Sequence, residues 1–329
     1  MTRAVGILGL GHYVPEKIIT NTDMEKIVET SDEWITERTG IKQRHIAAPE
    51  EATSDLAYNA AVEALKDAGV APEELDLVIV GTASSDYIFP STACLVQARL
   101  GGKKAAAFDL AAGCSGFVYS LAVASQMVKS GLYNKILIIG AETLSRIMNW
   151  TDRNTCVLFG DGAGAAVVGE VEEGYGVLGI DMGADGNGGK FLLQPAGGSR
   201  NPASEETVAA KDHTIHMNGQ EVFKFAIQIM GKTAKRALAK ANMKPEELDM
   251  LFPHQANYRI ITSAAKRLKM PMDKVWVNVD KYANTSAASI PIALCEAQKA
   301  GALKKGDNII LDGFGAGLTW AAIVLKWSK

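Results

Sequence analysis

Three residues of this 329-residue chain stand where side-chain chemistry is done. Cys114 follows the apolar run Ala105-Ala106-Ala107-Phe108-Asp109-Leu110 and the small residues Ala111-Ala112-Gly113, and it precedes Phe117 to Ser130, which is apolar nearly all round. A tight strand-to-helix turn lifts a nucleophile above a sheet. The free N–H groups of the helix start favour a thiolate and can hold an oxyanion. The setting predicts a Cys114 thiol lowered from about 8.5 toward the ~3.5–7.5 range; the competing reading is a small buried hydrophobe. His254 comes directly after Met250-Leu251-Phe252-Pro253, at a strand end of the kind where α/β sheets collect functional groups. Asn284 lies in Lys281-Tyr282-Ala283-Asn284-Thr285-Ser286-Ala287-Ala288-Ser289, where Asn before Thr-Ser also reads as a helix N-cap.

The elements that must position these groups repeat. Residues 61–78 and 234–251 are identical at nine of eighteen positions at an offset of 173, and both pass from an Ala/Leu-faced helix through Pro-Glu-Glu-Leu-Asp into an apolar strand. The strands Lys135-Ile136-Leu137-Ile138-Ile139 and Asn308-Ile309-Ile310-Leu311 share that offset, whereas the helices ending at Gly131 and Gly301 match at 170. Applied to Cys114, the offset of 170 lands on Asn284. Two halves related by a pseudo-twofold axis would bring the two helix N-termini together in one site. Alternating strands and helices in both halves give an α/β class. The boundary falls near Glu172-Glu173-Gly174, dividing the chain into 1–173, with the Cys, and 174–329, with the His and Asn. Pro291 is expected to kink the second-half helix. A short helix around Trp34 is expected to be capped by Thr30 with Glu33.

Composition excludes several classes. With 47% hydrophobic and 22% charged residues the chain reads as globular, and 34 Lys+Arg against 37 Asp+Glu argue against nucleic acid as a partner. Cys94, Cys114, Cys156 and Cys295 are far apart with no CxxC, so neither zinc nor a disulfide framework is expected, and a reducing cytoplasmic setting follows; apart from Cys114 they read as packing residues. The His213/His216 pair has no evident third metal ligand. No signal peptide or membrane span is read. Gly9-Leu10-Gly11 lacks the third glycine of a dinucleotide loop, and Gly160-Asp161-Gly162-Ala163-Gly164 runs into a strand. Gly313-Phe314-Gly315-Ala316-Gly317 would allow close backbone approach to the site.

Ala112-Gly113-Cys114-Ser115-Gly116, Gly160-Asp161-Gly162-Ala163, Pro253-His254-Gln255-Ala256-Asn257 and Asn284-Thr285-Ser286-Ala287-Ala288-Ser289 together closely resemble β-ketoacyl-acyl carrier protein synthase III, a thiolase-fold condensing enzyme. Ser31-Asp32-Glu33-Trp34-Ile35 and Arg38-Thr39-Gly40 extend the likeness to the start. The resemblance implies a thiolase-like fold of two pseudo-twofold-related halves in five layers (α-β-α-β-α). It also implies decarboxylative condensation of an acyl-CoA with malonyl-acyl carrier protein, without metal or redox cofactor, by a homodimer. Cys114, His254 and Asn284 would be catalytic, and the Cys114 and Ala316 N–H groups would form the oxyanion hole. Trp34, Arg38, Arg153, Gly219, Phe223 and Asn257 would bind CoA. Phe159, Phe314, Leu318 and Phe89, the last reaching the other subunit, would line the acyl pocket. Residues 223–281 hold 12 Lys+Arg and 5 Asp+Glu, a local +7 that suits an acidic carrier protein, with Lys224, Arg259, Lys266 and Arg267 as its contacts. Three departures leave the starter acyl chain open: Ala283 and Ala316 where glycine is usual, and Leu318 where Phe is frequent. A methyl at 283 or 316 is expected only where φ is negative. The alternatives are a starter-loading enzyme of a specialised polyketide pathway and a non-catalytic CoA-binding scaffold.

Overall fold

The computed structural model describes residues 3–102 and 104–329. Two sheets carry the fold. The first orders its strands Val5–Tyr13, Gly162–Glu170, Lys135–Glu142, Leu77–Gly81, Ala106–Leu110; the second orders Gly176–Ala184, Thr319–Lys326, Asn308–Gly315, Met250–Pro253. Read from these edges, the first four strands correspond one to one, with the same parallel and antiparallel pairings. The fifth strand of the first sheet has only an isolated bridge, Leu251 to Val275, at the matching edge of the second. The chain crosses between the sheets in the connection from Glu170 to Gly176.

Helices Gly116–Lys129 and Ser289–Lys299 lie between the sheets. Their apolar residues share one core with Ile79 and Ile138 of the first sheet and Phe252, Leu311 and Ile323 of the second. A helix between two apolar faces has no face left for water, which is why 116–129 is hydrophobic all round. Strands buried on both sides alternate their residues between cores: Val78, Val80, Leu137 and Ile139 pack under helix Thr53–Ala68, and Leu251, Ile310 and Val324 pack under helices Gly219–Lys240 and Tyr258–Leu268. The layers are therefore α-β-α-β-α.

Several local expectations need correction. Pro291 is the third residue of its helix, in the first turn rather than the interior, where its missing N–H is tolerated. Ser31, not Thr30, caps helix Asp32–Thr39: its Oγ accepts from the Trp34 N–H at 3.1 Å. Cys94 is exposed rather than a packing residue. The two central helices begin at Gly116 and Ser289, an offset of 173, and the 3₁₀ turns before them, Gly113–Ser115 and Ser286–Ala288, share it. The three-residue gap thus lies at the helix C-termini, and the counterpart of Cys114 is Ala287. Asn284 reaches the site from one turn earlier.

Candidate active site

Cys114, His254 and Asn284 line one open cavity of about 1110 Å³. Cys114 occupies the middle of the 3₁₀ turn feeding helix Gly116–Lys129. The opposite half presses backbone against it: a Cβ on Gly113, at φ +52°, would overlap the Ala316 N, and one on Gly315 would overlap the Cys114 N. The Ala316 N–H meets no acceptor among the described residues, and Ala316 keeps its methyl because its φ is not positive. Burial pushes the Cys114 thiol up to about 12, with the Glu142 carboxyl adding to the rise, while the Ser286 hydroxyl and the residue's own N–H oppose it. Desolvation thus acts against the lowering expected at a helix terminus, while the side chain, half-buried, keeps part of its surface on the cavity. Glu142 itself is wholly buried, and burial raises its carboxyl against the donors Thr82, Ala83, Ser84 and Ser286.

His254 leaves the strand end with its N–H on the Asp312 carbonyl (2.8 Å). Its ring lies edge-on to Phe314 at 5.4 Å between centroids, and Nδ1 is 2.7 Å from Ser289 Oγ. Complete burial with no carboxylate beside it pushes the imidazole down to about 3, so it is neutral. Asn284 is pinned by its main chain, the N–H on Leu158 O and the C=O on the Gly160 N–H, both at 3.0 Å. Its Oδ1 accepts the Ser286 N–H at 2.8 Å, which leaves the NH₂ end of the amide for the cavity.

Trp34, Arg38, Gly219, Phe223 and Asn257 line the same cavity. Both Arg38 and Arg153 stand over the Trp34 ring, at 4.8 and 5.5 Å from its centroid. Arg153 is outside the cavity lining and donates to the Glu29 carbonyl at 3.0 Å. Asn257 Nδ2 donates to the Arg38 carbonyl and its Oδ1 caps helix Tyr258–Leu268. Phe159 and Phe314 line the cavity; Leu318 is buried against Gly188 instead, away from the lining, and Phe89 is 83% exposed beside exposed Tyr87 and Ile88. Of the basic residues, Lys224 and Arg259 edge the cavity, Arg259 over the Phe223 ring at 5.7 Å, whereas Lys266 and Arg267 are exposed further along the helix. His12, Glu63 and Cys295 are close enough together to ligate an ion, but the Lys299 ammonium already occupies the group, 2.5 Å from Glu63. Sequence reasoning missed Glu142, Ser286, Ser289 and Lys190; only the Ser-rich spacing after Asn284 carried a signal for the two serines.

The family models for 3-oxoacyl-[acyl-carrier-protein (ACP)] synthase III match residues 108–186 and, for its C-terminal part, 238–327. The beta-ketoacyl-[acyl-carrier-protein] synthase III of Caldanaerobacter subterraneus is 63% identical over 99% of this chain and 98% of its own. The chain belongs to the β-ketoacyl-acyl carrier protein synthase III family. It is an acyltransferase with the thiolase-like fold. Among solved structures, 3-oxoacyl-[acyl-carrier-protein] synthase III from Aquifex aeolicus superposes with a TM-score of 0.91 at 49% identity, covering 98% of this chain and all of that one. The priming β-ketosynthase from the R1128 polyketide biosynthetic pathway does so at 0.92 and 34% identity, covering 100% of this chain and 97% of that one. No helix among the described residues is long and apolar enough to cross a membrane.

Proposed function

We propose that the chain condenses an acyl-CoA starter with malonyl-acyl carrier protein, the initiating step of fatty acid synthesis, with residues of both halves acting at one cavity. The Cys114 sulfur attacks the acyl-CoA thioester; the thiol proton leaves with the CoA sulfur, and an acyl-Cys114 remains. Malonyl-acyl carrier protein then loses carbon dioxide, and the electron pair of the broken C–C bond becomes an enolate whose oxygen is held by His254 and Asn284. The enolate carbon attacks the acyl-Cys114 carbonyl, and the oxygen of that adduct lies between the Cys114 and Ala316 N–H groups. Collapse expels the Cys114 thiolate, which takes up a proton from water to return the thiol, and releases the β-ketoacyl product. The carbon dioxide lost drives the sequence, so this chemistry calls for no cofactor.

The observation that carries the reading is the pair of unspent donors. His254 Nε2 is buried with no partner among the described residues, and the Asn284 amide has its oxygen tied and its NH₂ end left over, both on the cavity that holds Cys114. A buried donor without a partner is costly; a developing enolate oxygen would satisfy His254 Nε2 and also take the Asn284 NH₂ that faces the cavity. The Trp34 ring flanked by Arg38 and Arg153 suits a purine; to admit one, the Arg153 guanidinium must lift from the Glu29 carbonyl. Exposed Tyr87, Ile88 and Phe89 form an apolar patch that supports a homodimer.

Intact-mass analysis after acyl-CoA treatment, with separate assay of carbon dioxide release, tests the roles. Cys114→Ala should carry no adduct. His254→Ala and Asn284→Ala should load normally yet decarboxylate about 10²–10³-fold more slowly. Normal carbon dioxide release by Asn284→Ala would remove the enolate assignment. The likeness to a priming polyketide ketosynthase favours a second reading, loading of a specialised starter; turnover across acyl-CoAs of graded length and branching separates the two.

A further inference from the structure

The two ring nitrogens of His254 stand in unlike surroundings, and Ser289 makes the difference. Ser289, the first residue of helix Ser289–Lys299, is 3% exposed, and its Oγ has two partners: His254 Nδ1 at 2.7 Å and the Gln255 backbone N–H at 3.3 Å. Gln255 is itself held fast, with its side-chain amide donating to the Pro253 and Trp276 carbonyls and accepting from the Asn278 N–H. The Gln255 N–H can only donate, so it consumes acceptor capacity on the serine oxygen. The single hydroxyl proton then has one acceptor within reach, Nδ1.

A neutral imidazole carries one ring proton. Were it on Nδ1, the Ser289 O–H would be buried with no acceptor, and Nε2 would expose a bare lone pair with no donor. With the proton on Nε2, the Ser289 O–H donates to Nδ1, and the one unmet group is the Nε2–H. One fewer unsatisfied buried group favours this tautomer by roughly tenfold or more.

We propose that Ser289 is a positioning residue that holds His254 protonated on Nε2, so that the imidazole enters the reaction as a hydrogen-bond donor and not as the base for Cys114. The consequence for catalysis rests on the enolate role given above; the tautomer does not. A neutral imidazole locked this way has no lone pair to offer the thiol, and its donor is fixed before malonyl-acyl carrier protein arrives.

The test is ¹⁵N NMR of the full-length protein labelled at its five histidines, with His254 assigned by loss of its signals in His254→Gln. The expected result is a directly protonated, pyrrole-type Nε2 and a pyridine-type Nδ1. Ser289→Ala should lose that definition and give mixed tautomers, and Ser289→Thr, which keeps the hydroxyl, should restore it. In parallel, Ser289→Ala should load Cys114 as the parent does but decarboxylate more slowly by roughly 10- to 100-fold, the scale seen for partners that orient metal-bound histidines. An unprotonated Nε2 in the parent protein, or an unchanged spectrum in Ser289→Ala, overturns the proposal. Should Ser289→Ala not fold, the parent and Ser289→Thr spectra still decide it. If the tautomer is as stated but the parent neither loads nor decarboxylates, the catalytic reading fails and the assignment of the proton stands.

Discussion

Loss of water pushes the His254 imidazole toward its neutral form and the Cys114 thiol upward, and the same cause acts on a third group, this one fully buried. Because burial alone sets the His254 value near 3, its protonation state does not change between about pH 5 and 8. Carbon dioxide release from malonyl-acyl carrier protein, assayed apart from loading, should lack an acid limb near pH 6.5, and such a limb would place a charged imidazole in the mechanism. Asp312, whose carbonyl holds the His254 N–H, is fully buried with neither carboxyl oxygen partnered. Burial, with Asp181 nearby, raises its carboxyl well above the ordinary value, while Arg236 partly opposes the rise. The folded protein therefore binds a proton that the unfolded chain releases above its ordinary carboxyl value of about 4. Stability contributed by this group is full below that value and is lost as pH rises toward the folded value. Asp312→Val should raise the melting temperature more at pH 8 than at pH 4; parallel shifts at both would refute the assignment.

At the scale of elements, the turn before Asn284 stores strain. Ala283 has φ +56° and ψ −155°, contrary to the negative φ expected for any methyl-bearing residue there. Such a conformation in a residue other than glycine costs on the order of 1–3 kcal/mol. It persists because Asn284 is bridged to Phe159 and the helix follows within a turn. Ala283→Gly should stabilise the fold by about 1 kcal/mol net of the added freedom of the unfolded chain, read as a higher melting temperature; a lower one would show that the buried methyl matters more. The helix–turn–strand repeats were legible because apolar period and Pro-Glu-Glu-Leu-Asp turns are local signals. The pairing of Cys114 with Asn284 pointed to the right cavity through the wrong register, since the helix ends that fixed the offset differ in length while the helix starts do not. The direction of the thiol shift was illegible for a different reason: it depends on how much protein surrounds the turn, and no spacing reports that. Ser289 was quoted within a motif, but its role requires the strand end of His254, 35 residues earlier, to be folded against it.

Over the whole molecule, charge is −3, yet residues 223–281 carry a surplus of basic groups. Part of that surplus is spent internally, as Arg236 and Lys240 pair with Asp181 and Lys281 pairs with Glu296. What remains near the cavity centres on Arg259, at the start of helix Tyr258–Leu268, with Lys224 paired to Glu221 beside it. Arg259→Glu should raise KM for malonyl-acyl carrier protein about tenfold at low salt, with the gap closing as ionic strength rises, and should leave the loading rate from acyl-CoA far less affected. Equal effects on both substrates would assign the residue to the cavity itself. The contact of Gly113 and Gly315 with the opposing main chain has a practical corollary. A compound that grips the amides of Cys114 and Ala316 would hold a target made of backbone alone. Any side chain added at 113 or 315 displaces those same amides, so resistance by substitution would have to arise further out along the channel, at positions such as Trp34 or Phe223.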